Sequence, residues 1–316
     1  MKPLVVVIVG PTASGKTGLS VELAKKLDGE IVSADSMQIY KKMNIGTAKP
    51  SEKEKQGIPH HMMDFLDPSE EYTLKQYLDE AKQTVDSILF RGKLPILVGG
   101  TGLYITSFMN NLTLSEEPCD EAYRKQIESD YETLGGEILL ERLRVIDPQL
   151  ASRLFAKDNK RILRGLEVFH NTGITQTQQN QLAMEAESPY EFICFGLAAE
   201  DRAFLYNRID QRVLDMMDAG LLEEVSSLNE AELSRSAKQA IGYRQFVPYF
   251  NGEATLSDVV STIQKESRNY AKRQLTWFRR DNSIKWFLID RLNFDNILNS
   301  CLECIAKHRE MCYNKK

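Results

Sequence analysis

The stretch from Leu4 to Thr17, LVVVIVGPTASGKT, constrains the fold of this chain more than any other. Its first six residues are apolar and mostly β-branched, which predicts a fully buried strand. The next eight residues match the phosphate-loop pattern G-x-x-x-x-G-K-[ST] at every position. In such a loop the glycines let the backbone wrap around an anion, and backbone N–H groups, a helix N-terminus and a lysine all point at it.

The phosphate loop supplies the first set of predicted site residues. We expect a bound diphosphate to contact Gly10, Thr12, Ala13, Ser14, Gly15, Lys16 and Thr17. The Thr17 hydroxyl is the candidate ligand for Mg²⁺, which we expect as the cofactor. The motif does not tell whether the phosphate groups belong to ATP.

Two more junctions between a strand and a loop point to the same place. Residues 30–34 predict a strand that delivers Asp35, Ser36, Met37 and Gln38, and residues 94–98 predict a strand that ends in GGTG with Thr101. In an open parallel sheet the carboxyl ends of neighbouring strands line one crevice, so these residues should face the phosphate loop. Asp35 could hold Mg²⁺ through water, accept a proton from a nucleophile, or only cap a turn.

The alternation of strands and helices defines the predicted domains. It stops near Leu112 and resumes near Phe192, while residues 120–188 show helical patterns and no convincing strand. We therefore predict an α/β fold, a P-loop NTPase-like parallel sheet flanked by helices, with a helical insertion domain. The predicted bounds are 1–111 for the first part of the core, 112–188 for the insertion and 189–316 for the second part with C-terminal helices. The polar segment 41–56 is interpreted as an exposed excursion from the core.

The predicted helix over about 201–218 carries Arg202, Arg208 and Arg212. One arginine from this helix could complete a diphosphate clamp, because a guanidinium group forms forked hydrogen bonds to phosphate. The spacing does not single out one of the three. We take Arg208 as the diphosphate-binding candidate.

Two basic segments stand out in a chain of net charge −5. The first contains Arg153, Lys157, Lys160, Arg161 and Arg164, whose spacing of three and four predicts one shared helix face. Such a face suits a phosphate backbone, although it could also be merely solvated. The second, residues 267–285, mixes cations with Tyr270, Trp277 and Phe278, which is typical of an RNA surface, but these rings could equally belong to the core.

Composition excludes membrane and secreted classes from the prediction. No apolar run approaches the roughly 20 residues that a membrane-spanning helix needs. The five cysteines, at 119, 194, 301, 304 and 312, are odd in number and scattered, which fits reduced thiols. We therefore expect a cytoplasmic monomer that has no membrane partner.

Eight strings of the sequence together carry a resemblance to a known family. They are GPTASGKT (10–17), SADSMQIY (33–40), IGTAKP (45–50), GIPHHMMD (57–64), GGTGLY (99–104), RGLEV (164–168), AIGYRQ (240–245) and YAKRQLTWFR (270–279). In this order they resemble the tRNA dimethylallyltransferases, also called tRNA isopentenyltransferases. A small departure is Gly165, where alanine is common in the family.

The resemblance implies transfer of a dimethylallyl group from dimethylallyl diphosphate to the N6 amine of the adenosine 3′-adjacent to the anticodon, position 37 of tRNA. Diphosphate would be released, so the phosphate loop would hold a prenyl diphosphate rather than ATP. Asp35 is implied as the general base, with Lys16 and Thr101 as further catalytic residues. The residues implied to contact the anticodon arm of tRNA are Asp35, Ser36, Met37, Gln38, Thr101, Arg124, Lys160, Arg161, Arg164, Lys272 and Arg273.

Three other classes of protein fit part of the sequence. They are a small-molecule kinase with Asp35 as its base, a prenyltransferase that acts on free adenine nucleotides, and a non-catalytic RNA-binding protein. The two basic segments argue against the first two, because a small substrate does not need them. The intact phosphate loop together with Asp35 argues against the third.

Overall fold

The structure, a computed structural model, describes residues 2–114, 120–183, 187–228 and 232–313, with only the backbone of 312 and 313. Cys119 and the side chain of Cys312 therefore lie outside the described residues. The chain forms two compact units. Unit 1 consists of Met1–Met109 and Pro189–Lys316, and unit 2 consists of Asn110–Ser188.

Unit 1 is built on a six-stranded sheet in which every neighbouring pair is parallel. The strands are β1 (Leu4–Val9), β2 (Gly29–Ala34), β3 (His60–His61), β4 (Leu94–Gly99), β5 (Glu191–Ala198) and β6 (Ile284–Leu288). Their order across the sheet is β3-β2-β4-β1-β5-β6. The predicted α/β fold with a parallel sheet is confirmed.

Helices cover the sheet, and the secondary structure of the described part of unit 2 is helical. Those of unit 1 are α1 (Lys16–Leu27), α2 (Glu52–Lys55), α3 (Leu74–Phe90), α4 (Gly102–Met109), α10 (Arg202–Asp218), α11 (Leu221–Ser226), α12 (Val247–Phe250), α13 (Leu256–Phe278) and α14 (Phe294–Tyr313). Those of unit 2 are α5 (Glu121–Leu134), α6 (Gly136–Ile146), α7 (Pro148–Ala151), α8 (Asn159–Thr172) and α9 (Gln176–Ala183). Among the described residues, no helix is both long and apolar enough to cross a membrane.

The core of unit 1 explains why the strands read as apolar runs. Strand β1 is central and covered on both faces, and residues Val5 to Ile8 have no exposed surface. Leu19 and Leu23 of α1 pack on the sheet in one cluster with Cys301 of α14. Each fully buried side chain of this size contributes about 1.5–3 kcal/mol to stability.

Unit 2 has a hydrophobic core of its own. Leu143 of α6 and Ile162 of α8 are completely buried in it. Gly165 lets α8 lie close to α6, because a Cβ there would be 2.8 Å from a methyl carbon of Leu143 and 2.9 Å from one of Leu150. An alanine at this position would have to displace the ends of those two leucine side chains.

The prediction that five cations of the first basic segment share one helix face is wrong for two of them. Helix α8 begins at Asn159, so Arg153 and Lys157 lie in the loop before it. That loop cannot continue a helix, because Leu154 turns into the core and the Asp158 carboxylate accepts the N–H of Phe155 at 2.9 Å. Lys160, Arg161 and Arg164 lie on α8 and are exposed.

A buried carboxylate lies in β2 near its amino end. Glu30 is 4% exposed, and it accepts hydrogen bonds from His61 Nε2 at 2.7 Å and Arg91 Nη2 at 2.6 Å. Burial alone would raise the pKa of Glu30, but the hydrogen bonds and charges of His61 and Arg91 outweigh it, so the pKa is lowered. The ionised form of Glu30 therefore contributes to stability.

We expect Glu30→Gln to lower the free energy of unfolding by about 1.5–3 kcal/mol near neutral pH, the usual value of hydrogen bonds to a charged group. Because the folded-state pKa is lowered, this contribution is present above the ordinary pKa and is lost as the pH falls through the lowered value. Urea unfolding near pH 7 and near pH 3 should show the difference from wild type shrinking in acid. Glu52→Gln is the control, because Glu52 is 88% exposed and its pair with Lys55 should contribute less than about 1 kcal/mol. An equal difference in unfolding free energy between wild type and Glu30→Gln at both pH values would contradict the stabilising role of ionised Glu30.

Candidate active site

The phosphate loop connects β1 to α1 through backbone conformations that favour glycine. Gly10 has φ 149° and Gly15 has φ 92°, and between them Ala13 has φ 61°. A Cβ on Gly10 would lie 2.6 Å from the carbonyl oxygen of Leu197 in β5, so no side chain fits there. Gly15 caps the N-terminus of α1 and directs its free N–H groups into the loop.

Lys16 is held inside this loop by its own backbone. Its Nζ donates to the carbonyl oxygens of Gly10 at 2.9 Å and Pro11 at 2.7 Å. Burial, together with the neighbouring charge of Arg212, lowers the pKa of Lys16 to about 7, although the carboxylate of Asp35 opposes the shift. A bound anion would supply the negative charge that this buried ammonium group lacks.

The side chain of Ser14 provides a second, independent indication that the loop binds a ligand. Its Oγ is buried and has no hydrogen-bond partner among the described residues. Buried hydroxyl groups are normally paired, so an orphaned one beside an anion cradle is explained by a missing ligand. The hydroxyl of Thr17 and the carboxylate of Asp35 face the same cavity, and such oxygen donors suit Mg²⁺. The residues present thus fit both a phosphate group and Mg²⁺.

Two arginines of α10 reach the loop. Arg208 Nε donates to the carbonyl oxygen of Ala13 at 2.9 Å, and Arg212 Nη1 donates to Thr12 Oγ1 at 3.1 Å. Burial lowers the pKa of Arg212, and Asp35 partly opposes that shift. Arg212 is one of the three candidate arginines of this helix but is not the one taken as the diphosphate-binding candidate, although its spacing of four from Arg208 puts both on one helix face.

Asp35 is fixed by the turn that follows β2. Its Oδ1 accepts the N–H of Met37 at 2.9 Å, and the N–H of Ser36 donates to Thr101 Oγ1 at 3.0 Å. The Gln38 amide donates to the carbonyl oxygens of Thr47 and Ala48, both at 3.1 Å. These bonds join the carboxyl ends of β2 and β4 to the turn at 45–48.

One cavity of about 780 Å³ collects most of the predicted site residues of unit 1. It is lined by Thr12, Ala13, Ser14, Gly15, Lys16, Thr17, Asp35, Ser36, Met37, Gln38, Arg208 and Arg273 of the predicted set. Three predicted residues of unit 1 do not line it, namely Gly10, Thr101 and Lys272. Gly10 and Thr101 nevertheless bond to Lys16 and Ser36, which do, whereas Lys272 is exposed on α13.

Gln274 of α13 is a residue that sequence reasoning missed. It is 5% exposed; its Oε1 accepts the N–H of Thr12 at 2.9 Å, and its Nε2 donates to the carbonyl oxygen of Gly100 at 3.0 Å. One amide thus joins the phosphate loop to the glycine-rich turn after β4. The sequence offered one signal for a role of Gln274, namely its position within the family string YAKRQLTWFR. A glutamine in a basic helix gives no other sign that it is buried.

The interpretation of segment 41–56 as an exposed excursion is wrong for its central turn. Gly46, Thr47 and Ala48 line the cavity. Glu224 fixes this turn, because its carboxylate accepts hydrogen bonds from the N–H groups of Asn44, Ile45 and Gly46 at 2.8–3.0 Å. The hydroxyl of Tyr243 also donates to Glu224, at 2.6 Å. The polar character of this turn therefore reflects a loop fixed by hydrogen bonds and not a loop that is merely solvated.

Comparison with known proteins agrees with this geometry. The IPP transferase family matches residues 38–281, and the isopentenyl transferase family matches residues 3–69. The tRNA dimethylallyltransferase of Bacillus subtilis (strain 168) is 44% identical over 287 residues, which cover 90% of this chain and 91% of that protein. The chain belongs to the IPP transferase family.

Solved structures of family members have the same fold. The full-length tRNA isopentenylpyrophosphate transferase of Bacillus halodurans superposes with a TM-score of 0.73 at 39% identity, covering 98% of each chain. A eukaryotic dimethylallyltransferase acting on tRNA gives a TM-score of 0.81 at 28% identity, covering 99% of this chain and 80% of that one. The IPP transferase fold therefore extends over both units of the chain.

Four predicted tRNA contacts lie in unit 2. Arg124 on α5 pairs with Glu128 at 3.4 Å and with the buried Glu167 at 3.5 Å. Arg164 reaches the other oxygen of Glu167, also at 3.5 Å. Lys160 and Arg161 are exposed at the start of α8.

The aromatic residues of the segment 267–285 have three different surroundings. Phe278 is in the core at 2% exposure, and Trp277 donates from Nε1 to Thr106 Oγ1 at 3.0 Å. Tyr270 lines the cavity, with the guanidinium carbon of Arg273 5.6 Å from its ring centre. The rings therefore do not form one exposed row, and the core alternative holds for Phe278.

We expect Gln274→Leu to lower the free energy of unfolding by about 2 kcal/mol or more, because it leaves the Thr12 N–H and the Gly100 carbonyl without their buried partner. It should also weaken binding of inorganic diphosphate, since the loop loses its fixed position. Urea unfolding and isothermal titration calorimetry measure the two effects. Gln264→Leu in the same helix is the matched control: Gln264 donates to Asp210 O at 3.2 Å in a half-buried position that water can reach. Equal effects of the two substitutions would rule out the assigned role of Gln274.

Proposed function

We propose that this chain transfers the dimethylallyl group of dimethylallyl diphosphate to the N6 amine of adenosine 37 in tRNA and releases diphosphate. The observation that carries the proposal is that the phosphate loop and the Asp35 carboxylate line one cavity of about 780 Å³. That volume lies in the usual range of small-molecule sites. Membership of the IPP transferase family supports the prenyl donor and the tRNA acceptor.

The diphosphate end of the donor binds in the phosphate loop. The N–H groups at the start of α1, the Ser14 hydroxyl and Lys16 bind its oxygens, and Arg208 and Arg212 approach from α10. These cations stabilise the charge that grows on the leaving group as the C–O bond breaks. Mg²⁺ held by Thr17 would add further positive charge to the same leaving oxygen atoms.

Asp35 acts as the general base. The N6 nitrogen forms a bond to C1 of the prenyl group, the bond from C1 to the diphosphate oxygen breaks, and one N6 proton passes to the Asp35 carboxylate. Its Oδ1 already accepts the N–H of Met37, which fixes the direction of the carboxylate. Ser36 and Gln38 hold the adenine, while Thr101 keeps the turn in place through the N–H of Ser36.

Basic residues bind the phosphate backbone of the anticodon arm. Lys160 and Arg161 lie in the first turn of α8, which contains no acidic residue. Cations are unfavourable at the positive end of a helix dipole, so a bound phosphate would relieve a local electrostatic cost there. Arg124 and Arg164 of unit 2 and Lys272 and Arg273 of α13 are proposed as further contacts. A tRNA substrate also supports a cytoplasmic location, and we propose that the chain acts as a monomer.

The test of the proposal is an incubation of the protein with radiolabelled dimethylallyl diphosphate, Mg²⁺ and unmodified tRNA. Label should enter tRNA at adenosine 37 and diphosphate should appear in equal amount. Parallel reactions contain AMP in place of tRNA, or ATP in place of the prenyl donor. Label in AMP but not in tRNA, or rapid release of phosphate from ATP, would refute the proposal.

We expect Asp35→Asn to reduce the turnover number by about 10²- to 10⁴-fold, the usual contribution of general-base catalysis. Asparagine keeps an oxygen that accepts the Met37 N–H, so diphosphate binding should not change. Single-turnover kinetics and calorimetry measure the two quantities. The matched control is Asp67→Asn, because Asp67 accepts the N–H of Ser69 in the same type of turn at 3.0 Å but does not line the cavity. Wild-type turnover in Asp35→Asn would remove Asp35 from this role.

We expect the double substitution Lys160→Ala/Arg161→Ala to weaken tRNA binding. The negative slope of log affinity against log salt concentration should become shallower by roughly 1.5, because two phosphate contacts are lost. Nitrocellulose filter binding over a series of KCl concentrations gives that slope. Lys25→Ala/Lys26→Ala, at the exposed end of α1, provides the control with the same loss of charge. The assignment fails if both double variants change the slope equally.

A further inference from the structure

Phe155 is a large aromatic side chain that is 70% exposed although its backbone is fixed on both sides. Its neighbour Leu154 is buried in the core of unit 2, and the carbonyl oxygen of Ala156 accepts the Tyr131 hydroxyl at 2.6 Å. The N–H of Phe155 donates to Asp158 Oδ2 at 2.9 Å, and its carbonyl oxygen accepts the N–H of Asp158 at 2.8 Å. The loop therefore holds the ring out in solvent and cannot easily turn it inward.

Cations surround this ring in the sequence. Arg153 lies two residues before Phe155 and Lys157 two residues after it, in the same loop. Lys160 and Arg161 lie in the first turn of α8, which follows. None of the ion pairs found among the described residues involves these four side chains. Four exposed positive charges thus lie within nine residues that contain one exposed aromatic ring.

We propose that Phe155 is a stacking platform for an unpaired nucleobase of the RNA substrate, in the loop of the anticodon arm. Phosphates on either side of that base would bind the neighbouring cations, which is how proteins grip single-stranded RNA. The identity of the RNA rests on the proposed function, whereas the stacking itself does not. A protein partner or a membrane would need a contiguous apolar patch, whereas the exposed residues around Phe155 in the sequence are mostly the cations Arg153, Lys157, Lys160 and Arg161.

The experiment measures binding of a 5′-fluorescein-labelled anticodon stem-loop by anisotropy. Phe155→Ala should weaken binding by roughly 5- to 100-fold, the range for one stacked base. Phe155→Leu should weaken it as much, because it retains apolar area but has no ring. Phe155→Trp should bind within about threefold of wild type, since every aromatic ring can stack.

Two controls separate stacking from general effects. Phe90→Ala removes another exposed aromatic ring, 94% exposed at the end of α3 in unit 1, and should leave binding unchanged. An RNA duplex without unpaired bases should bind wild type and Phe155→Ala equally. Wild-type affinity of Phe155→Ala or Phe155→Leu for the stem-loop would overturn the proposal, and so would an equal loss on the duplex.

Prenyl transfer assays separate this inference from the proposed function. In Phe155→Ala the KM for tRNA should rise by the same factor as the dissociation constant, while kcat and the KM for dimethylallyl diphosphate stay unchanged. If wild type binds the stem-loop through Phe155 but transfers no label, the proposed function fails and the stacking stands. If wild type transfers label and Phe155→Ala has the wild-type KM for tRNA, only the stacking fails.

Discussion

The site depends on one buried positive charge. Lys16 lies in a loop whose backbone surrounds it, and its ammonium group is held by the carbonyl oxygens of Gly10 and Pro11. Burial and the neighbouring Arg212 push its pKa down to about 7, so the loop is poised to take up negative charge. The approach of Gly10 to Leu197 of β5 makes this arrangement possible, because no side chain fits between them. An anion in the loop would provide a partner for both Lys16 and the orphaned hydroxyl of Ser14.

The geometry of the site then depends on how the carboxyl ends of β2 and β4 are held against that loop. Gln274 joins the loop after β1 to the turn after β4, and Thr101 joins the turn after β4 to that after β2. Gln38 extends the connection to the turn at 45–48, which Glu224 holds by three N–H groups. Each link is a polar side chain bonded to backbone, and the Gln274 link is buried, so leaving its partners unpaired would be costly. This network keeps Asp35 directed at the cavity that the phosphate loop also lines.

Unit 2 differs from unit 1, because its hydrophobic core is small and its exposed surface carries the cations of the first basic segment. Packing of α6 against α8 depends on leucines and on the missing side chain of Gly165. The loop before α8 is fixed by Leu154 and Asp158, and it keeps cations and the ring of Phe155 in solvent. Exposed charge of one sign beside an exposed ring lowers the stability of an isolated protein slightly, and RNA binding would compensate for it.

Local patterns in the chain were enough to predict the parallel sheet, the phosphate loop and the meeting of three strand ends, because apolar periodicity and the glycine-lysine pattern are properties of short stretches. The sequence also indicated the family, through strings such as GPTASGKT and AIGYRQ. The predicted roles of the individual site residues remain predictions. The folded structure was needed to show that Gln274 and Arg212 contact the loop, that the 45–48 turn lines the cavity, and that α8 begins after Lys157. The contacts of Gln274 and Arg212 join residues up to 262 positions apart, for which no local pattern exists, whereas α8 begins after Lys157 because Leu154 turns into the core.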